Sequence, residues 1–200
     1  QKHPRLAPFV LQIAISPGEI KILWDLNRDE AANRGTWMHF TFELQLNRVA
    51  VPENTTELGL FYEFLATLNG YSAYRTEWEI FADDERLAGS IDFVAVAADG
   101  TLLLVDWKRT KSLREKYVNR WRSMKSPLEY LDDCAGSHYR LQLNLYKFII
   151  EKYYKKTVSK MLVVGTHPEN EQAFVAEVPC MDWDVAFLLV KLHERVAHGA

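Results

Sequence analysis

The sequence predicts an α/β fold, a sheet with helices packed against it. Three observations lead there. Apolar residues recur with helical period through the first third of the chain, then alternate with strand period around a strong Asp99-Gly100 hairpin signal. Helical and strand patterns follow one another again to the end.

Pro17-Gly18 opens an amphipathic stretch with Ile20, Leu23, Trp24 and Ala31 at helical spacing, closing near Asn33-Arg34-Gly35. Thr36 suits the N-cap of a second helix reaching about Leu46. A third helix starts at Thr55 or Thr56, runs through Leu60, Phe61, Phe64 and Leu68, and stops at Asn69-Gly70. Tyr74 to Phe81 alternates, Asp83-Asp84-Glu85 turns the chain, and Leu87 to Ala97 forms the next strand. After Asp99-Gly100, Leu102 to Val105 is a continuous apolar run, as in a central strand buried on both faces. Ser112 to Ser137 is polar, with Trp121, Met124, Leu128, Tyr130 and Leu131 suggesting a packed loop, a short helix or a flap. Tyr139 to Tyr154 is a helix burying Leu141, Leu145, Phe148 and Ile149. Lys160 to Thr166 and Ala173 to Val178 are strands, and Trp183 to Val196 is a closing helix.

Two hundred residues suit one domain: a helical part at 1–70, a core at 71–178 with a basic flap near 109–137, and a closing helix at 181–198. With 48% hydrophobic and 26% charged residues the chain is neither disordered nor fibrous. No apolar run approaches the roughly 20 residues a membrane crossing needs, so no membrane partner is expected. Cys134 and Cys180 stand far apart in no metal-ligand spacing, which fits an intracellular setting and argues against zinc or iron–sulfur binding by cysteine. The chain starts at Gln1 with no signal peptide, and is expected to be a piece of a longer protein.

Net charge is −3, yet Lys108 to Lys125 holds eight basic residues against one acid, Glu115. Such a segment either tracks a phosphate backbone or is a solvated face. Tyr117 and Trp121 interleave with the charges, as stacking platforms for bases or as core of the flap.

The chemistry concentrates in Gly89-Ser90-Ile91-Asp92 and, after the hairpin turn, Val105-Asp106-Trp107-Lys108. Hairpin pairing brings Asp92 to the end of the following strand. Asp106 and Lys108, two apart, share one face while Trp107 points to the other. Two converging carboxylates repel unless one is protonated or a cation lies between them. Oxygen ligands select a hard ion such as Mg²⁺ or Mn²⁺, and Lys108 could orient or help deprotonate a water or neutralise transition-state charge. The alternative is a surface hairpin with weak exposed ion pairs.

Gly89-Ser90-Ile91-Asp92, thirteen residues, then Asp106-Trp107-Lys108 resembles the core of the PD-(D/E)XK nucleases. Gly35-Thr36-Trp37-Met38-His39, with Glu43 one turn on, is similar to the helical motif of the RecB-type exonuclease branch. Gln142-Leu143-Asn144-Leu145-Tyr146 is similar to that branch's Gln-X-X-X-Tyr motif. The branch includes helicase-linked, mitochondrial genome maintenance and CRISPR spacer-acquisition nucleases, some with a four-cysteine iron–sulfur cluster that two cysteines would not supply.

The resemblance implies a restriction-endonuclease-like core and a Mg²⁺- or Mn²⁺-dependent deoxyribonuclease, an exonuclease acting on a single strand or duplex end in DNA repair or recombination. A helicase or further domains of a longer chain would be partners. It makes His39, Asp92, Asp106 and the Trp107 carbonyl metal ligands, Asp92, Asp106 and Lys108 catalytic, and Gln142 and Tyr146 supports of Lys108 and the DNA backbone. Glu43 stands as support for His39 or a surface acid, and Glu77 as a possible ligand. Arg109, Lys111, Arg114, Arg120 and Arg122 would contact substrate. Two other readings are an inactive nucleic-acid-binding module of the same fold and a restriction-type endonuclease.

Overall fold

The computed structural model describes residues 16–51, 53–111 and 123–197. Contacts divide the chain into two compact units, Gln1–Arg34 and Gly35–Ala200. The elements are α1 (Pro17–Leu46), α2 (Thr56–Thr67), β1 (Tyr71–Ala82), β2 (Leu87–Ala97), β3 (Leu102–Arg109), α3 (Ala135–Ile149), β4 (Val158–Thr166), β5 (Phe174–Glu177) and α4 (Asp182–Ala197). A π-helical turn, Ile150–Tyr154, continues α3. The described residues thus form an α/β fold, one five-stranded mixed sheet with helices.

Two helices expected before Leu46 are one. Asn33-Arg34-Gly35 reads as a helix end only if Gly35 takes a left-handed conformation. The glycines that do so are Gly70 and Gly100, at turns, while Gly35 stays helical. In the first unit the helix leaves Leu23 and Trp24 exposed, not packed as their spacing suggested. Ion pairs between Arg28 and Asp25 and between Arg34 and Glu30 brace its surface. Thr55 caps α2, its hydroxyl accepting from the Leu58 N–H at 3.2 Å.

The sheet runs β1-β2-β3-β4-β5, antiparallel except for β3 beside β4. That parallel pair requires a crossover, and α3 provides it. β3 is buried on both faces from Leu102 to Trp107, as its apolar run predicted. Leu102 and Leu104 face Leu143 and Ile149 of α3. Leu103, Val105 and Trp107 face the other way, toward Phe42 of α1 and Phe61 and Phe64 of α2. The Trp107 indole lies 5.2–5.4 Å from three of these rings, centroid to centroid. The acidic turn after β1 is partly internal: Glu85 is buried against Lys152 and Tyr153 of the π-helical turn. Residues 123–134 hold no helix, and Tyr130 is exposed, bonded to Asp184. No helix among the described residues is long and apolar enough to cross a membrane.

Gly35→Ala tests the continuous helix. An added Cβ meets nothing within 4 Å, and glycine costs a helix interior about 0.5–1 kcal/mol relative to alanine. Urea denaturation should show a gain of about that size. A loss would place Gly35 outside helical geometry.

Candidate metal centre

β1 and β2 pair with one register shift, at Tyr74, and it sets up the site three residues further on. Tyr71, Ser72 and Ala73 oppose Ala97, Val96 and Ala95, but Arg75 opposes Val94, so Tyr74 is an extra residue in β1. Thr76 then pairs Phe93 and Trp78 pairs Ile91, which sets Glu77 opposite Asp92. Residues two apart on a strand normally share a face. Here Ile91 and Trp78 pack with the α3 side while Phe93 packs with α1 and α2. The Thr76 hydroxyl accepts from Asn47 just beyond α1. The pleat therefore inverts at Glu77 and Asp92, against the alternation expected from Tyr74 to Phe81. Glu77 has φ +42°, a left-handed backbone that costs a residue with a Cβ about 1–3 kcal/mol.

The β2–β3 ladder ends at the same place. It runs from Val96↔Leu102 to Phe93↔Val105, and its next pair would be Asp92 and Asp106. There the Asp92 carboxylate takes over from the missing strand partner, its Oδ2 accepting from the Trp107 N–H at 2.7 Å. His39, on α1, brings Nδ1 to 3.5 Å from the same oxygen. His39, Glu77 and Asp92 each present a ligand atom within 4.8 Å of the others, a set that could hold a metal ion. Asp106 is not in that triad. Its carboxylate lies on the α3 side, with the Lys108 ammonium 2.9 Å from Oδ1 and Oδ2 alike. Only Oδ1 receives a directed hydrogen bond, and the buried Oδ2 is left without one.

Burial pushes the Asp106 carboxyl up to about 6, helped by the Asp92 charge and opposed by the Lys108 ammonium. Burial also lifts Glu77, with Asp92 adding repulsion and His39 opposing. For His39, burial works to lower the imidazole, but its bond to Asp92 and that residue's charge outweigh it and leave it raised. Lys108 is likewise raised: burial acts against the charge, and Asp106 more than compensates.

α3 supplies the far wall. Tyr139 sets its ring 4.6 Å from the Lys108 ammonium. Gln142 donates to the Tyr146 hydroxyl at 2.8 Å, so these two, singled out together, bond to each other. Tyr146 packs on the backbone of Gly89, where a Cβ would come within 2.3 Å of its ring. Sequence reasoning missed Tyr139, though it precedes Gln142 by three and Tyr146 by seven, one face of a helix. It also missed Ser90, whose hydroxyl donates to Glu77 at 3.2 Å. Glu43 bears on the site as a like charge beside Glu77.

The basic residues divide. Arg109 is held by Glu57 of α2 at 2.9 Å with both side chains largely covered, and Lys111 pairs with Glu169 on the surface. Arg114, Arg120 and Arg122, with Tyr117 and Trp121, lie outside the described residues.

No family model and no curated protein matches the chain. A solved structure titled "Crystal structure of SSO0001" shares 18% identity at a TM-score of 0.35, over 72% of this chain. The match spans 57% of that protein's length.

Two experiments probe this geometry. Gly89→Ala should cost about 1–3 kcal/mol by overpacking against Tyr146. Adding Tyr146→Ala should recover much of that loss, so urea denaturation of the two single variants and the double should be strongly non-additive. Additive losses would mean the two residues do not touch. The second is an NMR titration of the His39 imidazole. Its midpoint should lie above the ordinary histidine value, and Asp92→Asn should lower it, leaving only Glu77 to oppose burial and Lys108. The stability from protonated His39 is present below the unfolded-state value and fades as pH rises through the folded one. An unmoved midpoint in the Asn variant would break the His39–Asp92 link.

Proposed function

We propose that the chain is a divalent-metal-dependent deoxyribonuclease of the PD-(D/E)XK type, a RecB-like exonuclease hydrolysing DNA phosphodiester bonds. One observation carries this reading. Where β2 and β3 part, His39, Glu77 and Asp92 converge beside a buried Asp106–Lys108 pair. The donor set fits a hard cation, being two carboxylates and one imidazole, with a buried Asp106 oxygen that receives no directed hydrogen bond. His39, Glu77, Asp92 and Asp106 would hold Mg²⁺ or Mn²⁺. The resemblance adds the Trp107 carbonyl. When bound, the ion supplies charge to meet the phosphate and acidifies a water nucleophile.

The chain's own groups do the rest. Asp92 is anchored by the Trp107 N–H. Lys108, held by Asp106 and Tyr139, keeps an ammonium where negative charge builds on the phosphoryl oxygens. Gln142 and Tyr146 brace one another beside Gly89 and keep the strand carrying Asp92 at a set distance from α3. Arg114, Arg120 and Arg122 follow Lys108 in sequence and would guide DNA toward it. Action beside a helicase, in repair or recombination, belongs to the same reading.

The test is digestion of end-labelled linear and closed circular DNA with Mg²⁺, Mn²⁺ or EDTA. Cleavage should need the metal and a free end. Asp106→Ala and Lys108→Ala should each lower kcat at least a hundredfold, about 2.7 kcal/mol or more of transition-state stabilisation. Asp92→Ala should also abolish metal binding by calorimetry, while His39→Ala only weakens it. Full activity in EDTA, or wild-type cleavage by Lys108→Ala, would refute the mechanism.

A further inference from the structure

Tyr146 also lines a cavity of about 720 Å³. Its floor is apolar: Leu141 and Leu145 of α3, Leu188 and Leu192 of α4, and Leu128 from the preceding loop. Its rim carries Lys125, Lys191 and Arg195. Two acids temper them, Glu194 bonded to Lys191 at 2.9 Å and Asp133 bonded to His138 at 2.7 Å. The metal triad does not use this space, and the link between them is Tyr146, which lines the cavity and packs on Gly89 of the strand that carries Asp92.

We propose that this cavity binds a nucleoside of the single-stranded substrate, at a distance from the phosphate being cut. The reading rests on the nuclease function proposed above. Its size is that of a small-ligand pocket. An apolar slot closed by a tyrosine suits the flat face of a base, and cations at the mouth suit the phosphates on either side. An anionic lipid headgroup or an acidic peptide would use the rim but has no planar group for the floor. Position agrees. Ala88 lies four residues before Asp92 on β2, roughly 13 Å of extended chain at about 3.3 Å per residue. Ala88 of the cavity wall and Asp92 of the metal triad thus lie on one strand, within the span of a short oligonucleotide.

The experiment measures binding of fluorescein-labelled oligodeoxythymidine and of an abasic phosphodiester chain of equal length, both in EDTA so that nothing is cut. The intact chain should bind the base-bearing strand about tenfold tighter, as about 1.4 kcal/mol of stacking would give. Leu192→Trp fills the slot and should reduce that preference to about twofold or less, with abasic binding unchanged. Arg195→Glu, at an exposed side chain, keeps the test independent of folding. It should weaken both strands alike and flatten the slope of log K against log salt by roughly 0.7. A Leu192→Trp variant keeping the full preference, or wild-type chain binding both strands equally, overturns the proposal. Displacement of both strands alike by heparin, with no base preference, would make the rim a general polyanion surface and also overturn it. These readings need no turnover, so they stand apart from the metal-dependence test: cleavage without base preference fails the cavity alone, and base preference without cleavage fails the nuclease reading.

Discussion

An amide in the middle of a sheet must find an acceptor, and at Trp107 the neighbouring strand no longer offers one. β2 has inverted its pleat and left the ladder after Phe93. The Asp92 carboxylate fills the place at 2.7 Å, where an unmet buried amide would cost about 1–3 kcal/mol. One bond thus closes the sheet and fixes an acidic side chain at its opening. The opposite side of the same residue is just as constrained, since the Trp107 indole is packed among Phe42, Phe61 and Phe64. Asp106 and Lys108 flank a residue whose backbone and side chain are both held, and they inherit its rigidity.

The charges around that fixed point do not balance locally. Lys108 is taken up by Asp106. Asp92 and Glu77 then face one another with His39 beside them, and Asp92 raises Glu77 as a like charge. Glu77 also carries a strained backbone. Strain and repulsion at one residue persist only where the surroundings impose them, and sites that bind a cation are where such costs are recovered.

Much of this was legible in the sequence, for definite reasons. Leu102 to Val105 is apolar at every position, so a doubly buried strand was evident, and Asp99-Gly100 fixed the hairpin that opposes Asp92 to Asp106. Gly89 was legible as part of the Asp92 motif, though not that Tyr146 packs against it. Hidden were features that depend on tertiary packing. The resemblance named Glu77 as a possible ligand, but no pattern in Tyr71–Ala82 announces the bulge at Tyr74 that sets it opposite Asp92. Glu57 captures Arg109 from 52 residues away, a pairing that charge counting assigns to substrate instead. Gly35 misled because the same residue ends a helix or continues one, according to a backbone angle the sequence does not display.

Topology explains why α3 reaches the site at all. β3 and β4 are parallel neighbours, so the chain must return the length of the sheet between them. The returning helix begins near the carboxyl end of β3, where Asp106 and Lys108 lie, and its early turns meet those residues first. Tyr139 under Lys108 is that meeting. Later turns, with Leu143 and Ile149, descend onto Leu102 and Leu104 and become core. The polar face at the start of α3 and the apolar face toward its end are thus two stretches of one crossover. Ligand sites at the carboxyl ends of sheet strands arise from this arrangement, because there strands stop, helices start, and polar groups from both are left to converge.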